Sequence, residues 1–382
     1  MRNSTANNII DPHTLSKVLG PSVWKDPARR FGGLYVTQAR DGNPEPKLRF
    51  SVSDDGKVWR PAGFWNCGSA ECDTESVAFW DRWRGEYALY TRDWVNTQTA
   101  GQSKHYRTIR RLSLPKNSSF FSSSATPGSQ PDIPWGGSVQ VMVPDPLDWT
   151  YPALSPGYTN TGQKRQPAVG YYGGSVWPVE HSATPLYMML VHRLWHWIPQ
   201  SMGRGADAGP GMLGPAMIDT GLAYSRDGAN FTHIGGRESF FHGQTGSFDA
   251  KIQWLAVPVP SADGTELLYY YAGSNQDHKN YIDGDGPLRE GIGLAIGRMD
   301  GFSALVAPLH SARGGDGDGS QSQWLVTKPV AVSGTELLLN LDTGAQGVAL
   351  VEILAGHDRG GNGSLSVPGF GFANTVPIIA DK

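Results

Sequence analysis

The stretch Leu48-Arg-Phe-Ser-Val-Ser53-Asp-Asp55-Gly56-Lys-Val-Trp59 reads as a strand of period two, a tight Asp-Gly turn and the start of a second strand closed by an aromatic residue. The same design returns at Leu222-Ala-Tyr-Ser225-Arg-Asp227-Gly228-Ala-Asn-Phe231, and a weaker form at Ile292-Gly-Leu-Ala-Ile-Gly-Arg-Met-Asp300-Gly301-Phe302. In the first two copies a serine precedes the aspartate by two positions and an aromatic follows the glycine by three. Side-chain oxygens so placed can accept hydrogen bonds from the turn amides, while the ring packs between neighbouring sheets. A unit of strand, turn and aromatic plug that recurs along a chain of short strands predicts radial repetition, that is, an all-β, five-bladed β-propeller.

Working outward, residues 1–27 are polar and carry Pro12, Pro21 and Pro27, the pattern of a leading arm. Residues 28–302 supply the blades. Alternating or continuously apolar runs are expected as strands at 31–39, 47–53, 76–80, 86–92, 105–112, 169–179, 186–197, 217–224, 247–257, 266–272 and 291–298. The nearly all-apolar run 186–197 is bounded by Pro185 and Pro199 and is rich in aromatics, which favours a buried strand over a helix. Residues 115–165, rich in Ser, Pro, Gly and Asn, form a long irregular segment of the sort that carries function. Residues 303–382 repeat the strand pattern with fewer aromatics, as a fifth blade or an appended short β-sandwich.

Composition agrees with a turn-rich β fold: 49 of 382 residues are glycine, roughly twice the usual share, and 27 are proline. The formal charge of -3 leaves no footprint for nucleic acid or an anionic membrane, and no apolar run reaches the roughly 18 residues of a membrane span. No hydrophobic region follows the basic residue near Met1, so no signal peptide is visible; a secreted or periplasmic location would require a leader already removed, and a cytoplasmic one would not. Cys67 and Cys72 stand in a loop-like stretch as a small disulfide or as two thiols.

Acidic residues at the heads of apolar strands are costly to bury unless they are paired. Asp73 and Glu75 precede one such strand, Glu180 a second and Asp249 a third. Their recurrence suggests glycoside cleavage, which needs an acid and a second carboxylate, about 5.5 Å apart for retention and about 6.5 to 9.5 Å for inversion. Asp73, Glu180 and Asp249 are the expected catalytic set, with Glu180 as general acid. Trp135, Trp177 and Trp195 offer faces for sugar rings, as do Trp149 and Trp197; Glu75, His181, His192 and His242 offer polar edges, and Arg193 and Lys251 could hold an acidic substituent. His192 and His196 lie on one strand about 13 Å apart, too far to share a metal ion. No cofactor is expected. Asp283-Gly-Asp285-Gly and Asp316-Gly-Asp318-Gly resemble fragments of calcium loops without the full ligand spacing, which leaves only a structural calcium.

With these residues in view, the chain resembles the superfamily of propeller glycosidases that includes glycoside hydrolase families 32, 43, 62 and 68. More closely, it resembles a group of bacterial and fungal proteins described as similar to the family 32 N-terminal region. The resemblance rests on 48–63, 73–92, Tyr171-Tyr-Gly-Gly-Ser-Val-Trp-Pro-Val-Glu180, Val191-His-Arg-Leu-Trp-His-Trp197, 218–231, 247–251, 291–295 and Thr327-Lys-Pro. It implies a five-bladed ring and three funnel acids serving as nucleophile or base, transition-state stabiliser and general acid. The first-blade motif Trp-Met-Asn-Asp-Pro-Asn of that superfamily is absent; Asp11-Pro12-His13 stands in no equivalent pattern. Two other function classes fit a propeller: a polysaccharide lyase or sialidase-like enzyme, the lyase using His181, His192 or Tyr172 as its base, and a non-catalytic carbohydrate-binding module.

Overall fold

A computed structural model describes residues 17–19, 31–37, 47–55, 57–58, 60–66, 75–99, 102–115, 135–149, 158–160, 169–199, 216–276, 278, 287–306, 325–330, 334–337, 339–344, 347–355 and 366–379. Asp73, Cys67, Cys72, Asp283, Asp285, Asp316 and Asp318 lie outside these residues. The chain divides into two compact units, 1–304 and 305–382.

The first unit is essentially all-β. Its first sheet is an antiparallel meander of β1 (Lys17–Leu19), β2 (Phe31–Thr37), β3 (Lys47–Ser53) and β4 (Arg60–Asn66), so part of the expected N-terminal arm is an edge strand. The second sheet is a like meander of β5 (Val77–Asp81), β6 (Glu86–Thr99), β7 (Gln102–Pro115) and β8 (Gly136–Met142). The third is a curled, half-barrel sheet of nine strands: β9 (Tyr158–Asn160), β10 (Val169–Pro178), β11 (Tyr187–Pro199), β12 (Ala216–Ser225), β13 (Phe231–His233), β14 (Ile252–Leu255), β15 (Val259–Pro260), β16 (Glu266–Ser274) and β17 (Glu290–Arg298). Two four-stranded meanders and a curled, branched third sheet that includes the parallel pair β12–β14 are consistent with a propeller-like architecture.

The apolar run expected as a buried strand is β11, central between β10 and β12 and buried on both faces, as its unbroken apolar character requires. One core cluster joins Leu48, Phe50 and Val52 of β3 to Phe79, Leu89 and Ile109 of the second sheet and to Val176 and Met189 of the third. A second joins Met188, Leu190 and Leu222 to Leu255, Leu267 and Tyr269 across the curl. Each such buried side chain contributes about 1.5 to 3 kcal/mol relative to exposure. Gly293 of β17 is required by close approach: a Cβ there would stand 2.2 Å from the Tyr271 ring.

The aspartate turns are as the sequence suggests, with one substitution. Asp55 accepts from the N–H groups of Lys57 and Val58 at 2.8 and 2.9 Å, and from the Ser53 hydroxyl. Asp227 repeats this with Ala229, Asn230 and Ser225 at 2.8, 2.7 and 2.8 Å. The third copy is Ser261-Ala-Asp263-Gly264, where Asp263 accepts from the Ser261 hydroxyl at 2.6 Å and the Thr265 N–H at 3.1 Å. At 292–302 the expected strand, turn and packed aromatic form as β17, the Gly301 N–H bond to the Arg298 carbonyl at 3.0 Å and Phe302 against Trp177, but Asp300 faces His181 and does not close the turn.

The second unit contains the antiparallel bridges Ala349↔Ile378 and Leu354↔Ser366, and no continuous strand among its described residues.

Candidate functional site

Strands β10, β12 and β14 run in one direction, since β11 is antiparallel to its neighbours and β14 is parallel to β12. β5 shares that direction, because Glu75 before it meets β10 and β11 near Gly173 and His192, whereas Arg82 after it meets Glu180 beyond the far end of β10. The sheets thus have a leading end, where these strands begin, and a trailing end, where they finish.

At the leading end, Glu75 is held with φ 68°, a left-handed conformation that costs a residue with a side chain of order 1 to 3 kcal/mol. It fits because β10 carries a bulge between Tyr171 and Gly173, and Gly173 has no side chain; a Cβ there would lie 2.2 Å from that of Glu75. The Glu75 carboxylate, with its side chain 18% exposed, lies 3.4 Å from Nδ1 of His192, which is 0% exposed. His192 Nε2 is 3.1 Å from the Leu255 carbonyl oxygen, which also accepts from the Ser175 hydroxyl at 2.8 Å.

Asp249, in the loop before β14, is buried against Gly273. Its Oδ2 accepts from the Tyr271 hydroxyl at 2.8 Å, and burial together with that carboxylate pushes the phenol up to about 12. Its carbonyl accepts from the Gln253 side-chain amide. His192 pairs in register with Thr220, and Gln253 stands two residues before Leu255. These four side chains make a polar layer above the apolar layer of Leu190, Leu222 and Leu255. His192 Nδ1, Thr220 Oγ1, Gln253 Oε1 and Asp249 Oδ1 are all buried without a hydrogen-bond partner among the described residues. Such atoms cost about 1 to 3 kcal/mol each, so the layer is built at the expense of stability.

Beside it, Tyr172 lies 6.3 Å from Trp254, and its hydroxyl is 3.0 Å from Nε2 of His278. The guanidinium groups of Arg92 and Arg107 stand 5.1 and 5.4 Å from the Tyr172 ring and 5.3 and 4.5 Å from Trp94. The leading end therefore offers carboxylates, an imidazole, amide and hydroxyl groups and half-buried aromatic faces.

The opposite face of β10–β12 holds a closed network. Arg193 donates to both oxygens of fully buried Asp219, whose Oδ1 also accepts from the Trp195 indole at 2.7 Å. Next to it, Arg237 and Tyr171 donate to Asp148 at 2.6 and 2.7 Å. Burial, then the nearby Arg237 charge, pushes His233 down to about 4.

Among the residues singled out from the sequence, Glu75, His192 and Asp249 are brought to the leading-end layer, and Lys251 lies there too, bonded through its backbone to Ile218 and Ser274. Arg193 and Trp195 are committed to Asp219. Glu180 stands at the trailing end, 3.4 Å from Arg82 and two residues beyond the end of β10; the five-residue advance from Gly173 to Pro178 alone spans about 17 Å, so Glu180 is not beside Glu75. His181 at that end is exposed and 2.9 Å from Asp300. Trp135 stacks in the core on Phe50 at 5.8 Å, Trp177 packs against Phe302 at 6.1 Å, and His242 is exposed. Thr220 and Gln253 were not singled out; a polar residue inside an otherwise apolar strand is the signal that marks both.

A shallow cavity of about 360 Å³, lined by Leu186, Met188, Tyr224, His233, Asp300 and Phe302, lies at the trailing end, away from Glu75 and Asp249. Among the described residues, no group of three His, Cys, Asp or Glu side chains is placed to hold a metal ion, and no helix is long and apolar enough to cross a membrane.

No protein-family model and no curated protein matches the chain. It has distant structural similarity to several carbohydrate-active enzymes. An N-acetylgalactosamine deacetylase from F. plautii, solved with blood group B trisaccharide, aligns at 12% identity and TM-score 0.43 over 76% of each chain. A thermostable family 43 glycoside hydrolase aligns at 14% identity and TM-score 0.35, over 72% of this chain and 69% of that one. A Bombyx mori family 32 β-fructofuranosidase variant, solved with sucrose, aligns at 11% identity and TM-score 0.34, over 70% of this chain and 43% of the other.

Proposed function

We propose that the chain is a glycoside hydrolase of five-bladed propeller type that cleaves a plant, algal or microbial oligo- or polysaccharide at the leading end of its sheets. The observation that carries this reading is the placement of Glu75 and Asp249. They are carboxylates that precede strands of two different sheets, at the edge of one buried polar layer in which His192, Thr220, Gln253 and Asp249 each keep one atom without a hydrogen-bond partner among the described residues. A hydroxyl-rich ligand satisfies such a layer, and Trp254, Trp94 and Tyr172 give its ring faces an apolar surface.

In this reading Glu75 protonates the leaving oxygen. Asp249 activates water or attacks the anomeric carbon, and Asp73, two residues before Glu75, is the candidate third acid. Glu180, tied to Arg82 at the other end, has no part in it.

The test is turnover by the full chain on arabinofuranosides, fructans and uronate-containing glycans. Wild-type protein releases sugar, and Glu75→Gln and Asp249→Asn each lose about 10² to 10⁴ in kcat while still binding. The anomer first formed separates retention from inversion. Glycan binding without turnover by the wild type rejects the hydrolase and leaves a binding module. An unsaturated, ultraviolet-absorbing product rejects it in favour of a lyase, whose seat would be the Tyr172–His278 pair.

A further inference from the structure

An antiparallel strand with one covered face ordinarily turns its apolar side chains inward and its polar ones to water. β17 does the reverse. Its inward positions are Gly291, Gly293, Ala295 and Gly297, because rings fill that side: a Cβ at Gly297 would stand 3.2 Å from the Tyr269 ring and one at Gly291 3.4 Å from Phe248, with Tyr271 closer still to Gly293. Its outward positions are Glu290, Ile292, Leu294, Ile296 and Arg298, and of these Ile292 is 76%, Leu294 47% and Ile296 59% exposed. The register carries the same face onto β16 and β15, where Ala272 lies beside Ile292, exposed Tyr270 beside Leu294, and Leu268 with exposed Val259 beside Ile296. A contiguous apolar face of this kind marks a surface that meets a partner.

The order of residues along β17 says which partner. Over the outward positions Glu-Ile-Leu-Ile-Arg, size and polarity read alike from either end, and charge reads opposite. A two-fold axis through Leu294, at right angles to the strand, therefore sets Leu294 against its own counterpart, Ile292 of one protomer against Ile296 of the other, and Glu290 against Arg298 at both ends. Arg298 stands in register with Glu266 of its own sheet, so in such a pair it lies between two carboxylates. We propose that this face is a homodimer interface, with a second copy of the chain stacked face to face on β16 and β17 about that axis. Among the described residues β17 pairs with β16 alone, so its other edge is open as well. Pairing through that edge would leave Ile292, Leu294 and Ile296 facing water, whereas stacking covers them. Sheets so packed lie about 10 Å apart, a gap that facing Ile and Leu side chains fill and that Glu290 and Arg298 span at the rim. The face is only three strands wide, the size of an exchanging dimer and not of a permanent one. The inference stands apart from the hydrolase reading.

The experiment is sedimentation velocity of the full chain from about 1 to about 100 µM, with melting temperature as the check on folding. Wild-type protein is expected to pass from monomer to dimer over that range. Leu294→Lys puts two like charges on the axis and is expected to hold the chain monomeric throughout, with its melting temperature at the lowest concentration unchanged. Glu290→Arg sets like charges together at both ends and should raise the dissociation constant at least about tenfold; adding Arg298→Glu should recover most of that loss. A wild-type chain that stays monomeric overturns the proposal, whatever else covers the face. A dimer that survives Leu294→Lys overturns it too, since the contact then lies elsewhere, and growth beyond the dimer overturns the closed two-fold. Should Leu294→Lys not fold, the charge variants decide: no loss in the first, or a loss the second change does not recover, overturns the register.

Discussion

The two ends of the sheets treat their carboxylates in opposite ways. At the trailing end Asp81 accepts from the N–H groups of Trp83 and Arg84, from the Tyr187 hydroxyl and from Arg111, while Asp227 and Asp263 close their own turns and Glu180 and Asp300 face Arg82 and His181; Asp55 closes a like turn after β3 of the first sheet. The turn carboxylates are held as anions: amide N–H groups of Val58 and Lys57 keep Asp55 below the ordinary range, and Ser261 and Thr265 bring Asp263 to about 2. For Asp227, burial pulls the other way, and the N–H groups of Asn230 and Ala229 outweigh it. At the leading end Asp249 keeps a buried oxygen unpartnered, and Glu75 sits in a strained backbone against an imidazole. Strain alone does not separate the ends, since Asp300 shares the left-handed backbone of Glu75 at φ 59°; what does is that the trailing carboxylates close turns or face cations, whereas Asp249 leaves a buried oxygen without a hydrogen-bond partner.

The contrast is tested most severely by exchange of equivalent residues. Glu75→Gln is expected to cut kcat by about 10² to 10⁴ with little change in melting temperature, and Glu180→Gln to leave kcat within a few-fold, as read by steady-state turnover. Equal losses in both would erase the distinction between the ends. On the far face of β11, Arg193→Met strands the buried Asp219 charge and is expected to cost about 3 to 5 kcal/mol in denaturant unfolding. Gly173→Ala drives a methyl group into Glu75 and is expected to cost about 1 to 3 kcal/mol and to lower kcat more than a substitution of equal stability cost in the core.

A smaller effect separates the network face by pH. His233, ordinarily near 6.5, is held at about 4 by burial and by Arg237, with Asp148, Arg193 and Asp145 also acting on it. The unfolded chain takes up that proton first, so stability falls as pH drops from about 6.5 towards about 4. His233→Gln should flatten that slope in unfolding midpoints taken at about pH 7 and about pH 4.5. The turn carboxylates behave differently: their contribution persists until the pH falls below the ordinary 3.8 towards about 2. The smallest effect is Asp227→Ala, about 1 kcal/mol, with turnover unchanged.

The turns were legible because a serine and an aspartate two residues apart close a loop with local atoms alone, and local chemistry is what a sequence displays. The copy at 292–302 has its strand, its turn, closed by the Gly301 N–H on the Arg298 carbonyl at 3.0 Å, and its packed aromatic, Phe302. It lacks the serine before the aspartate, and Asp300 does not close the turn; Ser261-Ala-Asp263 has that serine, and its hydroxyl is bonded to Asp263. β11 was legible from its proline boundaries and its length. The site was legible only in part. Asp249 and Glu75 were marked by charge before apolar strands, but the same mark fell on Glu180, because a carboxylate just past the end of one strand and just before the next satisfies the pattern at either end of a sheet. Arg193 and Trp195 read as sugar contacts because their partner, Asp219, is set by the register of β11 on β12, which no local pattern displays.

The Trp254 indole beside Tyr172 gives this molecule its own optical gauge. Trp135, Trp177 and Trp195 are buried, whereas Trp254 and Trp94 are half-buried at the leading end and Trp80 and Trp83 half-buried at the other. A sugar settling on Trp254 and Trp94 would move emission from these two rings, and the change would be lost in Trp254→Phe, so saturation of intrinsic fluorescence reports occupancy of the leading end before any product is looked for.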